Sequence, residues 1–155
     1  KENLENNKYI DLIKNNLNNN QTTIISISAE IESQIAQLEN KKEKKEFLNS
    51  LGWENSGLDR IIKLSYDKLN LITYFTAGEK ETRAWTVEKG SNAPDASSVI
   101  HTDFKKGFIC AETISYKDYI EYGGAKGAKE NGKIRQEGKE YLIKDGDIVH
   151  FLFNI

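Results

Sequence analysis

Gly127-Ala128-Lys129-Glu130-Asn131-Gly132-Lys133 has the GxxxxGK spacing of a phosphate-binding loop. That spacing aims backbone N–H groups and one lysine at a polyphosphate. The next residue must be Ser or Thr to ligate magnesium, and here it is Ile134. No buried parallel strand runs into the segment and no long helix clearly follows, so it reads as a surface loop. His101, Asp103 and Glu112 have metal-ligand chemistry, but their spacing matches no metal signature and they are rejected as a site. His101 reads as the cap of a short helix, bonded to Asp103. Cys110, between Ile109 and Ala111, reads as a buried inert thiol. Trp53 and Trp85 read as packing residues; an exposed Trp85 beside Arg83 would instead offer a base a stacking surface. Lys41-Lys42-Glu43-Lys44-Lys45-Glu46 reads as a solvated helix face with spaced Glu and Lys. A nucleic-acid contact there is disfavoured, because acids interrupt the run.

The elements that position these residues follow from local pattern. Leu71 to Thr76 is rich in β-branched and aromatic residues and reads as a strand. Ala77 to Lys80 turns the chain into a second strand, Thr82 to Val87, making a hairpin. Pro94, the only proline, suits the first turn of a short helix from Asp95 to His101. Phe108 to Ile114 is a third strand. Hairpin, short helix and strand open a β-grasp, or ubiquitin-like, domain. Tyr116 to Tyr122 is an aromatic-rich turn or short helix, and Gly123 to Gly132 holds a short helix ended by Gly132. Tyr141 to Ile143 is expected as a strand. Asp145-Gly146-Asp147 is expected as a tight hairpin turn into the closing strand Ile148 to Phe153. In that strand Ile148, His150 and Leu152 share one face, and Val149, Phe151 and Phe153 the other.

Upstream, an amphipathic helix from about Glu5 to Leu17 is expected, stopped by Asn18-Asn19-Asn20. Thr22 to Ile27 reads as a short buried strand. Ser28 caps the helix that begins near Ala29, with Glu30 and Glu32 in its first turn, and Ile31, Ile35 and Leu38 form one of its faces. Leu58 to Leu69 marks a helix ending near Asn70, where the domain boundary is placed. A strand such as Ile24 to Ile27 without neighbours exposes its edges, so self-association or poor order is expected there.

The chain has 155 residues, with 37% hydrophobic and 30% charged, and a net charge of -2. That bounds the architecture to one domain plus a fragment, or two very small domains. The balance excludes a strongly basic nucleic-acid surface, although a local patch is compatible with it. One cysteine excludes an intrachain disulfide and fits a reducing cytosol. No apolar run approaches transmembrane length and no signal peptide is visible. A cytoplasmic protein without membrane partners is expected.

The runs TAGEKETRAWTVEKG, VIHTDFKKGFICAE and EGKEYLIKDGDIVHFLFNI resemble the C-terminal TGS domain of the YchF (EngD, Obg-like ATPase) family. Upstream, Ile27 to Glu32 resembles the SAKIE segment that ends that family's nucleotide-binding domain, and LGWENSGLDRIIKLSYDKLNLITYF resembles its joining helical segment. The resemblance implies an α+β chain. A mostly helical α/β remnant of a P-loop NTPase domain over 1–69 would precede a TGS domain over 70–153. The family's P-loop and switch regions would precede Lys1, so catalysis and cofactors are expected of a longer parent and not of this chain. That parent would hydrolyse ATP with magnesium, also bind GTP, and associate with the large ribosomal subunit in translation and stress. The resemblance places Ser28 and Ala29 beside a nucleotide base, and Glu2 at the end of a base-reading motif. TGS domains of stringent-response synthetases carry a similar histidine near RNA. His101 and Thr102, with Lys105 and Lys106 as phosphate partners, are therefore implied as an RNA or ribosome contact. Cys110 stands where the family usually has Arg. The alternative is a domain that only packs on and regulates its own ATPase domain.

Overall fold

The computed structural model describes residues 8–17 and 22–154. The chain divides into two compact units, Lys1–Ser65 and Tyr66–Ile155.

The first unit is helical among its described residues: α1 (Lys8–Asn16), α2 (Ala29–Gln37), α3 (Lys41–Leu51) and most of α4 (Gly57–Lys68). Side-chain caps start α2, α3 and α4. Ser28 Oγ accepts from Ile31 N at 3.4 Å at the start of α2, and Asn40 Oδ1 accepts from Glu43 N at 2.8 Å at the start of α3. Gly52, with φ of 75°, ends α3 in the left-handed conformation that favours glycine. Glu32 leaves its own helix to cap another: its Oε1 accepts from Gly57 N at 2.7 Å and its Oε2 from Leu58 N at 3.3 Å. A carboxylate there satisfies orphan donors and suits the positive end of α4.

The expected strand over Thr22 to Ile27 does not form: no strand pairs with it among the described residues, and Ile27 is exposed. Extended chain becomes a strand only when a neighbour takes up its backbone groups. The strand edge invoked for self-association is therefore absent from the described residues. Glu2, the proposed start of the first helix near Glu5, and Asn18 to Asn20 lie outside them.

The second unit is built on a five-stranded mixed sheet with order β2-β1-β5-β3-β4. β1 (Leu71–Ala77) and β2 (Thr82–Glu88) form the antiparallel hairpin. The chain then passes through α5 (Ala93–Ile100) and α6 (Thr102–Lys106) into β3 (Phe108–Ser115). α7 (Tyr116–Glu121), α8 (Ala125–Glu130) and the short β4 (Arg135–Glu137) precede β5 (Asp147–Phe153). β5 lies parallel to β1 and antiparallel to β3.

Alternation along the strands sends side chains to two cores. Ile72, Tyr74, Val87, Ala111, Val149 and Phe151 pack with Ala93 and Ala96 of α5 on one face. Ile114 and Ile148 pack with Ala128, Tyr119 and Tyr122 on the other. α5 begins two residues earlier than expected, because Asn92 Oδ1 accepts from Asp95 N at 2.9 Å and Pro94 fills the first turn.

Two expectations near the C-terminus are corrected. Tyr141 to Ile143 is not a strand: it makes a single bridge, Leu142 with Asn92. Asp145-Gly146-Asp147 therefore turns the chain without closing a hairpin. Side chains explain the difference. Buried Asp147 Oδ2 accepts from Tyr141 Oη at 2.7 Å and from Lys144 N at 3.0 Å, while Ile143 N donates to Ser91 O at 3.0 Å. These bonds hold 141–144 against the loop before α5. The short helix expected between Gly123 and Gly132 forms as α8 and buries Ala128, so the first half of the Gly127 to Lys133 run is helix and not the surface loop read from its motif spacing.

Candidate nucleic-acid interface

His101 ends α5 and begins α6. Its Nδ1 accepts from Asp103 N at 3.2 Å and stands 3.6 Å from Asp103 Oδ2. That is the geometry of a helix cap, and it leaves the imidazole exposed on the surface. Thr102 is the exposed first residue of α6. The two lysines are both ion-paired: Lys105 Nζ with Asp95 Oδ1, and Lys106 Nζ with Asp103 Oδ1 at 3.4 Å. Exposed pairs of this kind are worth about 0–1 kcal/mol, so both ammonium groups can be drawn to a competing phosphate.

The aromatic residues beside this cluster were not legible as a group in the sequence. The His101 and Phe104 rings lie 5.7 Å apart, and Phe104 stacks on Phe153 with centroids 3.8 Å apart and planes at 21°. The signal available was the His-x-x-Phe spacing, which suits neighbours on one helical turn. Phe153 arrives from β5, and only the sheet brings it there.

The stack forms one side of an open cleft of about 690 Å³. The opposite side is the end of the β1–β2 hairpin, from Thr76 to Glu81, with Arg83 and Trp85. The cleft has a topological cause. β1 pairs with β5 only at Phe75 and Ile148. Carried forward, that register sets Ala77, the last residue of β1, beside His150, and leaves Phe151 to Phe153 beyond the end of β1. Trp85 is half-buried, and its Nε1 donates to Thr76 Oγ1 at 2.9 Å. It packs against the core as expected of a packing residue, while the Arg83 guanidinium lies over its ring at 4.3 Å. Among the described residues no carboxylate pairs with the Arg83 guanidinium, which rests on that ring.

Cys110 is half-buried, not buried as expected, because it lies beside the register shift that loosens β3 against β5. Ser28 spends its hydroxyl on the α2 cap, and Ala29 is exposed at the first turn. The GxxxxGK run forms no phosphate cradle: residues 125–130 are helical, and the Cα of Gly127 faces the Tyr122 carbonyl so closely that a Cβ would clash. No step of nucleotide chemistry is assigned to it. Among the described residues no three His, Cys, Asp or Glu side chains gather in a metal-binding arrangement, and no helix is long and apolar enough to cross a membrane.

A mixed α/β chain with a five-stranded sheet is thus the class of molecule on hand. Residues 71–154 match the YchF-GTPase_C family, described as a protein of unknown function, DUF933, and the chain belongs to that family. It is 53% identical over 151 residues to the "Ribosome-binding ATPase YchF" of Haemophilus influenzae, covering 97% of this chain and 41% of that protein. It is 56% identical over 132 residues to the protein of the same name from Bacillus subtilis, covering 85% of this chain and 36% of that one. The solved structure of the Schizosaccharomyces pombe YchF GTPase superposes with a TM-score of 0.78 at 39% identity, over 96% of this chain and 39% of that one. The chain therefore spans about two fifths of the length of these relatives and corresponds to their C-terminal portion.

Proposed function

We propose that this chain is the part of a YchF-type translation ATPase that docks the protein on the ribosome, at its large subunit or on RNA. In this reading residues 70–153 are a TGS domain of β-grasp type, and residues 1–69 complete a nucleotide-binding domain and its connecting helices. The mixed sheet with α5 packed on one face supports the β-grasp assignment. The observation that carries the docking function is the face where Phe104 stacks on Phe153 and His101 lies tilted against Phe104, beside Lys105 and Lys106. Phosphate contacts from such lysines position a module on RNA, and aromatic rings take up unstacked bases. The parent protein hydrolyses ATP with magnesium, also binds GTP, and works in the cytoplasm. Ser28 and Ala29, with Glu2, lie on the base side of its nucleotide, and this chain alone carries no catalytic residue.

A second reading is supported by a different observation. Leu12 and Ile13 of α1, and Leu58 and Ile62 of α4, are each about half exposed, apolar side chains left for packing on the protein's own ATPase domain. Replacing His101, Lys105 and Lys106 with alanine in the full-length protein separates the two. Docking requires weaker ribosome binding with folding and ATPase activity retained; unchanged ribosome binding would leave intramolecular regulation as the function.

A further inference from the structure

The cleft has features that the exposed patch around His101 lacks. Trp85, Phe104, Phe151 and Phe153 are among its lining residues, and its volume of about 690 Å³ falls in the range of small-ligand sites. Arg83 is the distinctive group. A guanidinium usually finds a carboxylate, yet this one rests on the Trp85 ring with no anion beside it among the described residues. It occupies the position in which a planar base would stack. Glu79 and Glu81 on the hairpin end repel phosphate from that rim, so Arg83 is the favourable seat for one. A duplex cannot use such a site, because its bases are stacked inside and its backbone would meet both acids.

We propose that the cleft takes a single unstacked base of single-stranded RNA, with Trp85 as the stacking platform and Arg83 as the ligand of the adjoining phosphate. On binding, the base takes the place of the guanidinium on the indole, and the guanidinium turns to the phosphate. The Trp85 Nε1 bond to Thr76 holds the indole plane fixed for this exchange. Phe104 and Phe153 line the same cleft and offer the base a second apolar contact. This inference rests on the reading of the chain as a ribosome- or RNA-docking module and names the RNA feature that is read.

The test uses the chain with Trp53→Phe, so that fluorescence reports Trp85 alone, titrated with single-stranded oligoadenylate and with a duplex RNA of equal length. Single strands should quench Trp85, and duplex should not. Arg83→Gln, at an exposed position, should weaken quenching about tenfold and lower the salt slope by about one, as expected for one stacked base and one phosphate contact. Absence of quenching, equal quenching by duplex, or an Arg83→Gln variant that binds as before would overturn the proposal. Ribosome co-sedimentation is measured on the same samples. If it persists while Trp85 stays unquenched, this inference fails and the docking function stands; if it is lost as well, both fail.

Discussion

The Tyr74 hydroxyl donates to the Ala96 carbonyl at 2.9 Å, and neither residue is exposed. This bond joins the middle of β1 to α5 across the larger core. The Tyr74 ring also meets Phe151 edge-on at 5.9 Å, so one side chain ties the hairpin, the helix and the closing strand together. Burial pushes its phenol pKa well above the usual value, which keeps it a neutral donor at all working pH. Tyr74→Phe keeps the packing and removes the bond. The expected loss is about 1–2 kcal/mol in urea unfolding. An unchanged midpoint would show that the bond contributes nothing.

Glu32 is the corresponding tie in the helical unit. Glu32→Ala leaves the Gly57 and Leu58 amides without their carboxylate, with an expected cost of about 1 kcal/mol. Hydrogen exchange reads this directly: those two amides should lose protection, and Glu32→Gln should restore part of it. Equal protection in all three proteins would contradict the cap.

Gly107 has no room for a side chain. A Cβ there would overlap the backbone carbonyl of Asn154, whose N–H donates to Gly107 O at 2.8 Å. Gly107→Ala should therefore cost about 1–3 kcal/mol and loosen the junction between α6 and the end of β5. Because Phe104 and Phe153 meet at that junction, the variant should also weaken RNA quenching of Trp85. Wild-type stability would show that Asn154 moves aside freely.

Asp118 sets an acid limit. The Ser115 hydroxyl bonds its carboxylate and Lys133 stands 3.6 Å away, and together they hold its pKa below the usual range. A depressed folded-state pKa means that the unfolded chain binds the proton first as pH falls. The stabilisation is fully present above about pH 4 and disappears as pH drops through the lower folded value. Asp118→Asn should flatten that part of the acid limb in a pH series of unfolding midpoints. An identical acid limb in both proteins would contradict the assignment.

What was legible in the chain was what neighbours in sequence decide. The β1–β2 hairpin followed from strand-forming runs on either side of a short turn containing Gly78, and α5 from Pro94. The caps of Ser28 and His101 followed from residue type at a helix start. Polar β4 could not be read, because it is a three-residue edge strand with no apolar face to announce it. Tyr141 to Ile143 looked like a strand by composition, but bonds from Tyr141 Oη and Lys144 N to the nearby Asp147 carboxylate redirected it, which composition does not show. The stack of Phe104 on Phe153 and the parting of β1 from β5 are long-range consequences of sheet register. They define the cleft, which is why its lining was the least visible part of the site.

The central claim is that this chain binds the ribosome through phosphate and base contacts of its own. Sedimentation of the purified chain with ribosomes over a salt series tests it most directly. The account predicts co-sedimentation at low salt that weakens linearly in log affinity against log salt. A folded chain that fails to co-sediment at any salt, or one whose binding ignores salt, would contradict it.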